Sequence, residues 1–314
     1  MAYKGRLAVI AGGLGGLGSE TAKLLHAEGA ALALLYAPFE ADRRDKLLEG
    51  AFGNPAPDNV KTYEADITDE DLVAKAFAAI STDLSSQGSP VFPSILINAA
   101  GYVSVQPLTE TSAAEAAKNI LPNLLGPFIV SNAFYNLYTK TKSTGTKPPG
   151  RIVSISSQAA HVALPSHGAY CASKAGLLGL VRSQALEWGP EGITSNSVSP
   201  TVAMTELGRK AWADPEKRDD MLRQIPTGRF AEPDEIARAM EWLCRDGNGM
   251  LNGTDIRIDG ERVMIERDLL TKLETSYPRT PQLQTQIKKA QHRLKARQDD
   301  LWEDTCLAHP HLGM

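Results

Sequence analysis

Cysteine is scarce in this chain: Cys171, Cys244 and Cys306 are widely spaced and odd in number. They make neither a disulfide framework nor a Cys/His cluster with metal-ligand spacing, so the expectation is a reducing, cytoplasmic compartment and no metal. Charge of one sign is missing as well. Lys+Arg number 33 against 37 Asp+Glu, a formal net charge of −4, which gives no electrostatic footing to nucleic acid or to an anionic membrane surface. No apolar run is long enough to span a bilayer, and the N-terminus, MAYKGRLAVIAGG, enters a strand directly without a signal-peptide pattern. What remains is ordinary for a globular protein: 314 residues, 42% hydrophobic and 22% charged, ample for one large α/β domain or two small ones.

Short apolar runs alternate with longer amphipathic stretches. Arg6–Ala11, Ala31–Tyr36, Val60–Tyr63, Ser94–Asn98, Arg151–Ser156, Thr194–Ser199 and Thr254–Ile258 read as strands, while Gly16–Glu28, Glu70–Leu84, Ala113–Tyr138, Gly168–Gly189 and Pro233–Cys244 read as helices. Strands that are apolar throughout are covered on both faces. Their alternation with helices through about 260 residues predicts an α/β fold with a doubly wound parallel sheet. Beyond Gly260 the pattern stops, and Gln282–Asp304 carries Leu283, Ile287, Ala290 and Leu294 at helical spacing. We therefore expect one domain over 1–262 that holds both cofactor and substrate, followed by a partly helical extension over 263–314. The basic stretch Thr139–Pro149 reads as a surface loop.

After the first strand comes AGGLGGLG, Ala11 to Gly18. Glycines there let a backbone approach a pyrophosphate, whose charge is met by the free N–H groups opening the next helix. Two registers fit: Gly13, Gly15 and Gly18 spell G-x-G-x-x-G, and Gly12, Gly16 and Gly18 spell G-x-x-x-G-x-G. At the end of the second strand an acidic residue would accept the ribose 2′-OH of NAD and repel a 2′-phosphate. The chain has Tyr36-Ala37-Pro38 instead, with Arg43 and Arg44 in the next helix, which favours NADP(H) over NAD(H). Asp66, in YEADITDED, stands where it would touch adenine or cap the helix that begins near Thr68.

The segment RIVSISSQAAHVALPSHGAYCASKAGLLGLVRSQALEW, Arg151 to Trp188, reads as strand, loop and helix, the helix carrying Tyr170 and Lys174. Residues four apart share one helix face, so phenol and ammonium lie side by side. A phenol, with a pKa of about 10, must fall toward neutrality to trade protons, a change of about 4 kcal/mol, and a neighbouring cation moves it that way. Ser157, just past the strand, would share a substrate oxygen with Tyr170.

These features together resemble the short-chain dehydrogenase/reductase family. The resemblance covers Tyr3 to about Gly260 and rests on AGGLGGLG in the G-x-x-x-G-x-G register, Asp66, NAAG from Asn98 to Gly101, Asn123 in PNLLGPF, Ser157, Tyr170 with Lys174, and NSVSPT from Asn196. It implies a Rossmann fold in which Tyr170 is the general acid/base and Ser157 orients the substrate oxygen. Lys174 would bind the nicotinamide ribose and lower the tyrosine pKa, and Asn123 would hold a water in a proton relay. The cofactor would lie on Gly12, Gly16, Leu17 and Gly18, on Tyr36, Asp66 and Ile67, on Asn98 and Gly101, on Tyr170 and Lys174, and on Pro200, Val202 and Thr205. Ala11, Ala99, Thr201 and Glu261 depart from the family's usual residues without touching the proton chemistry.

The second half resembles the branch of L-xylulose/dicarbonyl reductases and polyol dehydrogenases, in which the positions of Ser157, Gln158, His167 and Trp212 line the substrate pocket. The implied reaction interconverts a ketose or ketone with a polyol or secondary alcohol by hydride transfer. Rival readings are reduction of a bulkier ketone, such as a secondary-metabolite or acyl-carrier substrate, and a nucleotide-binding regulator without catalysis. Thr205–Arg229, with Gly208 and Gly228 near its ends, reads as a lid. Relatives of the family pair through the helices near Ala113–Tyr138 and Gly168–Gly189, so a homodimer or homotetramer is implied.

Overall fold

The computed structural model describes residues 1–86, 91–143 and 145–261. The expected helix over 282–304 lies outside them. The described chain runs β1 (Arg6–Ala11), α1 (Gly16–Ala27), β2 (Ala31–Tyr36), a 3-10 turn (Pro38–Arg43), α2 (Arg44–Phe52), β3 (Val60–Glu64), α3 (Glu70–Ser86) and β4 (Phe92–Asn98). It continues through α4 (Ala113–Ile120), α5 (Gly126–Lys140), β5 (Gly150–Ile155), α6 (Gly168–Trp188), β6 (Ile193–Pro200), α7 (Glu206–Ala211), α8 (Pro215–Leu222), α9 (Pro233–Leu243) and β7 (Asp255–Ile258).

The seven strands form one sheet in the order β3-β2-β1-β4-β5-β6-β7, every pair parallel. The winding reverses between β1 and β4, which opens a crevice at the carboxyl ends of the strands where ligands of such sheets bind. Side chains of β1 divide between two cores. Ala8 and Ile10 join Leu32, Leu34, Ile95 and Ile97 under α1 and α9, where Leu25, Ile236 and Met240 meet them. Leu7, Val9 and Ala11 join Ala33, Leu35 and Leu96 on the other face, against Phe77 and Ile80 of α3 and Val130 and Phe134 of α5. Both faces are dry, so the strand residues are apolar in succession.

The sixth strand departs from that rule. Ile193–Pro200 is buried throughout yet carries Ser195, Asn196, Ser197 and Ser199. These four have fixed partners, while the buried Thr194 Oγ1 has none among the described residues: Ser195 Oγ donates to Gln184 Oε1 (2.8 Å), and Asn196 Nδ2 donates to Leu251 O (2.8 Å) while its Oδ1 accepts from Thr254 N (3.1 Å). Burial of polar groups is tolerated when hydrogen bonds replace water.

The expected single helix over Ala113–Tyr138 is broken. Leu121–Leu125 forms a π-turn between α4 and α5, and Pro122, with no amide hydrogen to donate, stands at its start. The segment expected as a lid folds as α7 and α8 around a small core of its own, in which Val202, Met204 and Trp212 pack on Met221, Ile225 and Phe230. No helix among the described residues is long and apolar enough to cross a membrane.

Candidate active site

The glycine loop joins β1 to α1 at the crevice. Gly12 is left-handed (φ 74°), and a Cβ there would stand 2.8 Å from the amide nitrogen of Ala100. A Cβ on Gly18 would overlap the Gly12 carbonyl oxygen, and one on Gly16 would stand 2.7 Å from the Thr205 methyl. A Cβ on Gly13 would also stand 2.9 Å from the Leu34 side chain, whereas Gly15, the other glycine peculiar to the G-x-G-x-x-G register, is less crowded, with 3.3 Å to the Gly12 carbonyl; the packing favours the G-x-x-x-G-x-G register. Helix α1 has no side-chain cap and no acidic residue in its first turn. Its free amides, bared by glycine, fit the pyrophosphate of a dinucleotide.

Across the crevice, Ser157 stands two residues past β5 as the N-cap of a 3-10 turn, Gln158–Ala160, where its Oγ accepts from Ala159 N (3.2 Å). The Tyr170 hydroxyl, on the first turn of α6, faces Ser157, whose side chain favours the phenolate. Lys174, one turn on, places its Nζ 5.8 Å from the Tyr170 ring centroid and donates to Ile155 O at 2.7 Å. The π-turn aims Asn123 at the same place. Its Oδ1 accepts from Tyr102 N (2.8 Å), and its Nδ2 donates to Tyr102 O (2.7 Å) and to Ser173 Oγ (3.0 Å), which in turn donates to Tyr170 O (2.7 Å). Gly101 makes the approach possible, because a Cβ there would stand 2.8 Å from Asn123 Oδ1 and 3.6 Å from Lys174 Nζ.

Comparison with known proteins gives this arrangement its family. Residues 12–260 match a family model described as enoyl-(acyl carrier protein) reductase. Among curated proteins, D-threitol dehydrogenase of Mycolicibacterium smegmatis is 35% identical over 82% of this chain and 92% of its own length. NAD-dependent glycerol dehydrogenase of Listeria innocua is 33% identical, with 81% and 92% covered. L-xylulose reductase of Bos taurus is 32% identical, with 82% and 96% covered. Among solved structures, a dehydrogenase/reductase from Sinorhizobium meliloti aligns with a TM-score of 0.71 at 29% identity, over 82% of this chain and 95% of that one. The chain belongs to the short-chain dehydrogenases/reductases. It is therefore an oxidoreductase of a family that works with nicotinamide cofactors.

The electrostatics of this short-chain dehydrogenase/reductase differ from the sequence expectation in one respect. Lys174 was expected to lower the Tyr170 pKa. In the structure burial is the leading influence and raises the phenol, the Ser157 side chain opposes it, and Cys171 adds to the rise. Burial also lowers Lys174 from 10.5 to about 8. The ammonium is turned to the Ile155 carbonyl, and desolvation is the leading influence on both groups.

The other expected residues fall into four groups. Leu17, Tyr36, Pro200 and Thr205 border the crevice; Thr205 caps α7 through Gly208 N (3.1 Å) with its methyl over Gly16. Asp66 accepts from Thr68 N (2.9 Å) and Oγ1 (2.7 Å), so it caps the turn ahead of α3, which begins at Glu70. Asn98 and Ile67 are core residues. Asn98 is buried and donates to Ser131 (3.2 Å) and Ser154 (3.1 Å), tying β4 to α5 and β5, and Ile67 fills the space left by Gly126. Of the substrate-pocket group, Gln158 is 4% exposed and its buried Oε1 has no partner among the described residues. His167 turns its Nδ1 to Pro165 O (2.6 Å), with its ring 6.3 Å from that of Tyr170. Trp212 packs on Phe230, ring centroids 5.4 Å apart, and Val202 joins it in the lid core.

Several contributors were absent from the sequence reading. Ser173 and the Tyr102 backbone complete the setting of Asn123, and only the fold brings them together. Ser166 is left-handed (φ 62°) and its carbonyl accepts from Gln106 N (2.7 Å), re-aiming the chain into α6 just before Tyr170. The preceding Pro165 was a visible turn signal; the strained residue after it was not.

Proposed function

We propose that the protein is a reductase/dehydrogenase that interconverts a ketose or small ketone with a polyol or secondary alcohol, using NADP(H) in preference to NAD(H). The observation that carries this reading is the facing Ser157–Tyr170 pair at the crevice, with Lys174 and Asn123 close by and across from a glycine loop that fits a pyrophosphate. The names of the relatives, threitol and glycerol dehydrogenases and xylulose reductase, support the substrate class. The orphaned Gln158 Oε1 supports it too, since a buried acceptor beside Ser157 calls for a donor such as a sugar hydroxyl.

In this reading Gly12, Gly16, Leu17 and Gly18 hold the pyrophosphate, Tyr36 and Asp66 border the adenosine end, and Gly101, Pro200, Val202 and Thr205 border the nicotinamide end. The nicotinamide, when bound, supplies or accepts the hydride. Tyr170 gives its proton to the developing alkoxide, and Ser157 holds that oxygen by a second hydrogen bond. Lys174 carries positive charge beneath the phenol, and Asn123 anchors the helix through Ser173. Preference for NADP(H) rests on the lack of an acid after β2, where Tyr36 stands, and on exposed Arg43. The free thiols Cys171 and Cys244 suit the cytoplasm. Exposed Ile120, Leu121, Leu125 and Phe128 form an apolar face suited to pairing with a second copy, as a homodimer or half of a homotetramer.

The test is NADPH and NADH oxidation across ketoses, diacetyl and aromatic ketones, with Tyr170→Phe as control. Ketose or dicarbonyl turnover that falls at least about 1000-fold in the variant, at unchanged NADPH affinity, is the expected outcome. Turnover confined to bulky ketones would discard the sugar pocket, and wild-type activity retained by Tyr170→Phe would refute the proton chemistry.

A further inference from the structure

Past Ser157 the chain makes one 3-10 turn and reaches His161, a residue outside the proton chemistry above. The turn is closed by its own backbone: Ala160 N donates to Ser157 O (2.9 Å), and His161 N and Val162 N both donate to Gln158 O (2.9 and 3.1 Å). At its start it hangs from the sheet through Ser156 N, which donates to Val198 O (2.8 Å). At its far end the strong contact with the rest of the fold is the imidazole. His161 Nε2 donates to Asp255 Oδ2 at 2.8 Å, with Ser199 Oγ 3.3 Å from the same nitrogen. A thiol contact from Cys171 to Val162 O, at 3.9 Å, is weak by comparison.

Asp255 is itself held in place. Its other oxygen accepts from Ser197 Oγ (2.5 Å) and Ser199 Oγ (2.9 Å), across the β6–β7 pair in which Ser197 stands opposite Asp255. Two serines that make β6 unusually polar thus aim one carboxylate at the turn. The side chains of His161 and Asp255 are only 26% and 15% exposed, so this charge-assisted bond is partly shielded from water. The cluster is not a nucleophilic relay, because one ring nitrogen faces both the serine and the aspartate.

We propose that His161 is a positioning residue: its bond to Asp255 clamps the Ser157–Ala160 turn onto β6 and β7 and so holds the Ser157 hydroxyl against Tyr170. The role rests on the reading of Ser157 and Tyr170 given above. Without the imidazole the turn keeps its packing on α6 but loses its tie to β6 and β7 at the far end, and Ser157 is held less firmly toward the phenol.

The experiment uses the full chain and compares His161→Phe, His161→Gln, Ser157→Ala and the double variant His161→Phe/Ser157→Ala. Amide hydrogen exchange of the 157–162 peptide is read alongside kcat, KM and NADPH affinity. His161→Phe is expected to speed exchange in that peptide about tenfold, with other peptides unchanged, and to lower kcat/KM about tenfold, the size of one hydrogen bond to a charged group. NADPH affinity stays the same, His161→Gln recovers part of the loss, and in the Ser157→Ala background the histidine change has no further effect. Unchanged exchange, or the same tenfold loss repeated in the Ser157→Ala background, would overturn the proposal. Faster exchange in a protein whose wild type turns over no carbonyl would leave the clamp standing and defeat the role given to Ser157. If His161→Phe does not fold, Asp255→Ala, which removes the acceptor of His161 Nε2, must produce the same two changes, and its silence overturns the clamp equally.

Discussion

Replacing Lys174 with methionine should stabilise the protein at neutral pH while abolishing turnover. Lys174 is 4% exposed, and burial drops its pKa from 10.5 to about 8. That drop corresponds to about 3 kcal/mol of unfavourable charge burial, present in full wherever folded and unfolded chains are both protonated. Below pH 8 both are, so the wild type bears the whole penalty there. Between about 8 and 10.5 the unfolded chain keeps a proton that the folded chain has released, and wild-type stability rises with pH by about 1.4 kcal/mol per pH unit. Methionine carries no charge but forfeits the hydrogen bond to Ile155 O, worth about 1 kcal/mol. The net gain is about 2 kcal/mol at pH 7, shrinking through pH 9 and reversing to a deficit of about 1 kcal/mol above pH 10.5, once the folded lysine is neutral. Urea titrations of both proteins at pH 7, 8, 9 and 10, without cofactor, read the gap directly. A gap that stays constant across this range would refute the desolvation argument.

Two further substitutions probe the cofactor crevice. Gly18→Ala drives a methyl into the Gly12 carbonyl, backbone that cannot rotate away, and should weaken NADPH and NADH alike by tenfold or more, as overpacking of about 1–3 kcal/mol implies; isothermal titration checks it. Arg44 is turned to Asp45 at 2.5 Å, which leaves exposed Arg43 as the choice for a 2′-phosphate. Arg43→Ala should therefore weaken NADPH about tenfold and NADH less than twofold, and equal losses for both would remove the reason for preferring NADP(H).

Much of this protein is determined by its sequence alone. The alternation of apolar runs with amphipathic stretches predicts a doubly wound parallel sheet because strands covered on both faces have no polar side, and residues 7–11 of β1, β2, and residues 95–97 of β4 obey this. The glycines after β1 and the four-residue spacing of Tyr170 and Lys174 are local signals, legible because backbone approach and helix periodicity act over a few residues. Tertiary structure decided the rest. It crowded Gly12 and Gly16 against Ala100 and Thr205, and it broke the Ala113–Tyr138 helix at a π-turn so that Asn123 reaches Tyr102 and Ser173. It made desolvation the leading influence on both Tyr170 and Lys174, which helix spacing alone does not reveal. The His161–Asp255 contact joins residues 94 positions apart. No periodicity encodes such a pairing, because it exists only once β6 and β7 lie side by side beneath the turn.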